Sequence, residues 1–350
     1  GDTSKEVSLK YFYAQMGGAI QGTELSLSTA VTTLAGTGSS GSANGTGTSA
    51  SFKTIYGGIT TDGTNLYTAG YNSHLIRKIV IDNGTVTTLA GTGSSGSANG
   101  TGTDASFVSP IGITTDGTNL YVVEYSGHRI RKIVISTGVV TTLAGTGSTG
   151  SANGTGTDAS FYNPLDITTD GTNLYLADGS NNLVRQIVID NGTVTTLAGT
   201  GSSGSANGTG TAASFNRPWG ITTDGTNLYV SEFNGHRIRK IVIDNGTVTT
   251  LAGTGSSGSA NGTGTDASFS GPMGITTDGT NIYAAEYSGH RIRKIVISTG
   301  EVTTLAGSGS GGSTNGTGTD ASFNRSGGVT TDGTNLYVSD TNNYLIRKVE

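Results

Sequence analysis

From Gly208 to Gly253 the chain reads GTGTAASFNRPWGITTDGTNLYVSEFNGHRIRKIVIDNGTVTTLAG, and this stretch decides the fold. Gly220-Ile221-Thr222-Thr223 runs into Asp224-Gly225-Thr226-Asn227, whose Asp, Gly and Asn have the chemistry of a tight turn. Leu228–Val230 follows, then a short loop, then Arg237–Ile243. An Asp-Asn-Gly turn leads into Val248-Thr249-Thr250-Leu251. Each segment is short, rich in Ile, Val, Thr and Tyr, and bounded by turn residues, so the stretch reads as four strands. No run of ten or more residues carries helical spacing with caps.

The stretch is one of six copies. VTTLAG begins at Val31, Val86, Val140, Val194, Val248 and Val302, so the period is 55 residues once and 54 thereafter. Rare residues keep the same frame. Pro110, Pro164, Pro218 and Pro272 share one position, and His74, His128, His236 and His290 share another. Six of the 8 Phe fall in ASF, at Phe52, Phe107, Phe161, Phe215, Phe269 and Phe323. A single four-stranded sheet cannot bury both faces, so each copy needs two neighbours. Radial repetition of such sheets is a β-propeller. The last copy ends at Val349-Glu350 without its VTTLAG strand, whereas Val31–Leu34 precedes every other part of a unit. Pairing these two ends completes six four-stranded blades and leaves no raw edge. The reading is an all-β, six-bladed propeller over residues 31–350, closed by an N-terminal strand, with residues 1–30 as an extension.

The repeated pattern GTGTDASFNxPxGI, then DGTNLYV, an acid, and GHRIRKI resembles the NHL-repeat β-propellers. It recurs six times between Val31 and Glu350. The resemblance implies a six-bladed propeller, the same count that the spacing reaches independently. Three units carry Gly-His where the family usually has Asn-His.

Composition narrows the function classes. Glycine supplies 59 of 350 residues, and charged residues only 12 %. With no Cys there is no disulfide framework, thiolate metal site or Cys nucleophile. A net charge of -5 with 19 Lys+Arg argues against a nucleic-acid surface. No run of 18 apolar residues is present to span a membrane.

Near-identical copies make their differences informative. Strands alternate in direction, so the loop entering the first strand and the loop joining strands two and three share one face. The turns on the opposite face barely vary, with Asp-Gly-Thr-Asn in all six units. The near-face loops carry the variation and the single Trp. Tyr56, Ile111, Leu165, Trp219 and Met273 are expected to line a central funnel mouth, with Tyr71, Tyr125, Phe233 and Tyr287 in an outer ring. Asp166 replaces a Gly of the other five units and is the one charge expected at the mouth. Aromatic clusters on a concave surface favour contact with a protein or small ligand.

Other motifs have plainer readings. Gly36-Thr37-Gly38-Ser39-Ser40-Gly41 satisfies G-x-G-x-x-G, but no helix follows to face a pyrophosphate, so it reads as a flexible inter-blade linker. The histidines lie in separate blades and cannot converge on one metal ion. Each is read as tying a loop to a strand. Glu124, Asp178, Glu232, Glu286 and Asp340 recur at one position, which favours a turn or an Arg partner over acid catalysis. The Arg-Lys pairs of the third strand are read as spread around the rim. The nine Asn-Gly-Thr sequons are explained by turn chemistry.

Residues 1–30 match no part of the unit. Tyr11-Phe12-Tyr13 are expected to pack beneath the ring, as in a leader left by signal or lipoprotein processing, or to drive self-association. The chain is thus read as a secreted or surface-attached bacterial scaffold, non-catalytic, without cofactor or metal. Its alternatives are a filament subunit joined through residues 1–30 and a lyase or hydrolase using Asp166 at the funnel.

Overall fold

The computed structural model describes residues 24–350, and its architecture is a closed ring of six antiparallel sheets. Blade 2 shows the plan. Pro110–Thr115, Asn119–Glu124, Arg129–Val134 and Val139–Ala144 run outward from the axis as consecutive antiparallel strands. The ring closes as the spacing requires. Val31 pairs with Val349, Thr32 with Lys348 and Thr33 with Arg347, so Ala30–Ala35 is the fourth strand of blade 6. The first strands of blades 6 and 1 also touch, and Thr341 Oγ1 donates to the Ile55 carbonyl at 2.8 Å.

Each sheet has five strands rather than four. The extra strand is two residues long, Gly100–Thr101 in blade 2, and pairs with Val139 and Val140 on the outer edge. Its equivalents are Gly45–Thr46, Gly154–Thr155, Gly208–Thr209, Gly262–Thr263 and Gly316–Thr317. This corrects the reading of the Gly-rich segments as flexible linkers. They contribute an edge strand, a 3₁₀ turn and a bridge of Ser95 to Phe107 in blade 2, with counterparts in all six blades.

A buried arginine holds each such segment in place. Arg131 Nη2 donates to the Ala98 carbonyl and to Asn99 Oδ1, both at 3.0 Å, and Nη1 donates to the Ser106 carbonyl at 2.9 Å. Its guanidinium also lies over the Phe107 ring, 5.3 Å from the centroid. Arg77, Arg185, Arg239, Arg293 and Arg347 repeat this arrangement over Phe52, Phe161, Phe215, Phe269 and Phe323. The Arg of each Arg-Lys pair therefore lies in the blade interior, not on the rim. Carboxylates answer five of the six: Glu124, Asp178, Glu232, Glu286 and Asp340 pair with their arginines at 2.9–3.2 Å, all fully buried. Blade 1 has Gly70 there, and Arg77 has no acid partner among the described residues.

Candidate functional site

The near-face loops are held by groups that bridge blades. Ser109, Asn163, Gly271 and Arg325 donate their main-chain N–H to Nδ1 of His74, His128, His236 and His290 of the preceding blade, at 3.0–3.2 Å. The histidines thus join blade to blade, not loop to strand within a blade. An accepting Nδ1 requires the neutral ring, and partial burial lowers all four pKa values accordingly. In blade 3 Asn182 takes the role, its Oδ1 accepting from Arg217 N at 2.9 Å. Ser109, Asn163, Arg217 and Arg325 have φ between 46° and 60°. The anchored amide thus fixes an uncommon backbone at the point where the loops diverge in sequence.

These loops enclose a cavity of about 290 Å³ at the near end of the axis, lined by Tyr56, Tyr71, Ile111, Tyr125, Arg217, Trp219, Phe233, Met273 and Tyr287. The rings form a continuous arc. Tyr125 meets Tyr71 at 5.8 Å between centroids, Tyr71 meets Tyr56 at 5.1 Å, and Tyr56 meets Tyr287 at 6.2 Å. Tyr287 meets Phe233 at 6.3 Å, and Phe233 meets Trp219 at 5.2 Å. Edge and tilted geometries of this kind add roughly 0.5–1.5 kcal/mol per pair beyond burial. The arc is therefore a built wall rather than loose side chains. Ile111, Trp219 and Met273 form the buried floor. Tyr56 belongs to the arc, although its loop position suggested the inner ring. Leu165 is buried in the same apolar cluster but lies beneath Gly179, off the cavity wall.

Arg217 was not singled out as a functional residue in the sequence. Its guanidinium covers Trp219 and Phe233, 5.1 and 5.6 Å from their centroids. It also lies close enough to Tyr125 to favour that residue's ionised form, although burial raises the Tyr125 pKa overall. It thus fills the gap left by blade 3, whose second loop carries Gly179 where blades 1, 2, 4 and 5 carry an aromatic. Arg325 covers Tyr287 at 5.1 Å, and its Nη1 donates to the Tyr287 hydroxyl at 3.2 Å. The signal was present, because the loop position held by Thr54, Ser109, Asn163 and Gly271 is Arg in blades 4 and 6.

Asp166 is not at the mouth. It lines a separate axial channel of about 40 Å³ together with two rings of first-strand side chains, Thr60 and its equivalents and Ile59 and its equivalents. Asp166 Oδ2 accepts from Ile221 N at 3.3 Å, and burial pushes its pKa up to about 7. The displacement follows from its place in the chain. Asp166 opens the first strand, whose residues face the axis, whereas the loop that shapes the mouth ends one residue earlier. Among the described residues no three His, Asp or Glu side chains are grouped to hold a metal ion. Tyr11, Phe12 and Tyr13, expected to serve assembly, lie outside the described residues. Just after them, Leu25 is buried, its N–H donates to Asp278 Oδ2 at 3.1 Å, and Glu24 pairs with Lys294. The segment entering blade 6 is therefore fastened to blade 5.

No family model matches the chain. It is 27 % identical over 317 residues to NHL repeat-containing protein 2 of Bos taurus, covering 78 % of this chain and 43 % of the relative. It is also 29 % identical over 283 residues to the chloroplastic Protein SUPPRESSOR OF QUENCHING 1 of Arabidopsis thaliana, covering 75 % of this chain and 27 % of that protein. The chain thus spans less than half the length of these relatives. Among solved structures, a Bacteroides thetaiotaomicron protein of unknown function superposes with a TM-score of 0.69 at 23 % identity, over 91 % of this chain and 75 % of that one. An auxiliary nutrient binding protein of the same organism gives 0.67 at 17 %, over 91 % and 76 %. The repeat spacing and the closed ring make the chain a six-bladed β-propeller, and its repeats are similar to those of NHL repeat-containing protein 2.

Proposed function

We propose that this propeller is a non-catalytic binding module, secreted or held at the cell surface, which takes its ligand in the aromatic cup of the variable loop face. One observation carries the reading. The residues that differ most among otherwise near-identical repeats are those that line a single cavity, while the far-face turns stay uniform. Drift without a role would mark both faces alike. The cup holds no paired acid and base, and the one axial carboxylate, Asp166, lies in the channel rather than on the cup wall. A solved neighbour of the same fold is an auxiliary nutrient binding protein, which supports binding as the role.

The test is a glycan, peptide and metabolite panel read by the fluorescence of Trp219, the only tryptophan. Hits are then repeated by calorimetry on Trp219→Ala and Tyr125→Ala. Loss of binding in both variants is expected. Full retention of every hit in both would remove the cup from the reading, and recovery of the native protein only from cytosol would remove the surface location.

A further inference from the structure

We propose that the cup selects a small ring-shaped anion, a carboxylate carried on one or two rings, with Arg217 reading the charge and the aromatic arc reading the ring. This rests on the cup being a binding site and adds the chemistry of its occupant. Three observations support it.

The first is charge. The chain carries a net charge of -5, yet the cup is lined by no acid and by one arginine, with Arg325 beside its rim. The acids that open the second loops, Glu124, Asp178, Glu232 and Glu286, are fully buried and paired with Arg131, Arg185, Arg239 and Arg293, and Asp166, next to Leu165, lines the axial channel rather than the cup. They leave the field of Arg217 unopposed.

The second is the state of Arg217 itself. Its guanidinium carbon lies over both rings, while its side-chain N–H groups meet no carboxylate and donate no hydrogen bond among the described residues. An arginine placed by ring contacts with its donors unspent can make bidentate contact with a planar anion. Its backbone is fixed as well, because Asn182 anchors the Arg217 amide, so little ordering remains to be done on binding.

The third is the floor. Trp219 is 7 % exposed, and its Nε1 is buried without an acceptor, facing Gly57 of blade 1 across the axis. The N–H is turned to Gly57, which lines the axial channel and not the cup, so Trp219 offers the occupant ring surface rather than a donor. The Tyr56, Tyr71 and Tyr125 hydroxyls have no partner among the described residues and ring the opening. A volume of about 290 Å³ lies at the lower end of small-molecule sites, which limits the body to one or two rings. A hexuronate and an aryl carboxylate share this chemistry.

Matched pairs separate charge from ring. Trp219 fluorescence is titrated with galacturonate against galactose, and with indole-3-acetate against the corresponding indole alcohol. In the wild-type protein the acidic member of at least one pair is expected to bind about tenfold or more tightly than its neutral partner. This preference should shrink between about 50 mM and about 500 mM salt. Which pair responds identifies a sugar or an aryl body. Arg217→Gln, checked by circular dichroism and melting, should abolish the preference, the acidic member of the pair falling to the affinity of its neutral partner. Should Arg217→Gln not fold, the wild-type comparison decides alone. Equal affinity within both pairs overturns the inference and leaves the cup standing as a neutral-ring site. Silence from all four probes overturns the inference, and the wider panel above then judges the cup by itself. A preference for the acidic member that survives Arg217→Gln also overturns the arginine's role in reading charge.

Discussion

Blade 1 offers a test of the arginine clamp, because among the described residues it is the one copy whose buried guanidinium lacks an acid. The pairing follows a rule legible across the six copies. Where the acid is Glu, the residue three further on is Gly, since a Cβ on Gly127 would lie 2.8 Å from both Cβ and Oε2 of Glu124. Where the acid is the shorter Asp, Asn181 or Asn343 stands there and donates to the carboxylate at 2.8 Å. In blade 1 Gly70 is followed by Ser73, whose hydroxyl donates to the Gly70 carbonyl and occupies the space that a side chain on Gly70 would need. Burial lowers the Arg77 pKa, with no carboxylate to oppose it among the described residues. Stripping one partner from a buried ion pair costs about 3–5 kcal/mol. Gly70→Glu with Ser73→Gly restores the partner, and desolvation of the new carboxylate offsets part of the gain, leaving about 1–3 kcal/mol of stabilisation. At about 2.1 cal/mol/K of unfolding entropy per residue, that raises Tm by about 1.5–4.5 °C for a chain of this size. Gly70→Glu alone should lower Tm through its clash with Ser73. Ser73→Gly alone should lose about 1 kcal/mol with its hydrogen bond. The coupling from the cycle, read by scanning calorimetry, should exceed about 2 kcal/mol. Additive singles, or a double variant less stable than wild type, would refute the account of the clamp.

Three further outcomes are expected. Asp166 has its folded pKa raised to about 7 by burial, so between about pH 4 and pH 7 the native state retains a proton that the unfolded chain releases. Its contribution therefore falls as pH rises through that window, and Asp166→Asn should gain about 4 kcal/mol more relative to wild type at pH 8 than at pH 4. A pH-independent difference between the two would contradict the burial. The histidines act in the opposite sense. Their folded pKa values lie below the unfolded value, so their contribution is complete above about pH 6.5 and is lost as pH falls. Amide exchange at Ser109, Asn163, Gly271 and Arg325, corrected for intrinsic rate, should quicken on acidification, while Arg217, anchored on Asn182, keeps its protection. Equal change at all five amides would count against the histidine anchors. Removal of residues 1–36 deletes the strand Ala30–Ala35 and bares the edge at Leu345–Val349, so the shortened chain should lose its cooperative transition and associate, as seen by light scattering. Unchanged melting and size would show that closure is dispensable.

The architecture was open to sequence reading because repetition multiplies a weak signal. One GITT–DGTN–LYV string suggests a hairpin, whereas six in register at a fixed period, with one strand missing at the end and one spare at the start, impose a closed ring. The aromatic wall was readable for the same reason, since Tyr56, Tyr71, Tyr125, Phe233 and Tyr287 differ among copies where Asp-Gly-Thr-Asn does not. Arg217 was passed over because a charged loop residue looks solvated until its guanidinium is seen against two rings. The clamp arginines were passed over because Arg and Lys adjoin on one strand, and period-two alternation sends one inward and the other out. Arg occurs at that position in all six copies while Lys yields once, to Gln186, and this difference marked the buried member.

The order of residues alone determined the all-β class, the six blades, the site of closure and the face on which copies diverge, because these follow from period, strand propensity and direction reversal. Only the tertiary structure decided that the Gly-rich segments are clamped as edge strands, that histidines join neighbouring blades, and that Asp166 lies in the channel rather than at the mouth. Those outcomes depend on which side chains from different copies come within hydrogen-bonding or van der Waals reach. Such distances are set by how the blades wrap around the axis, and no single repeat contains them.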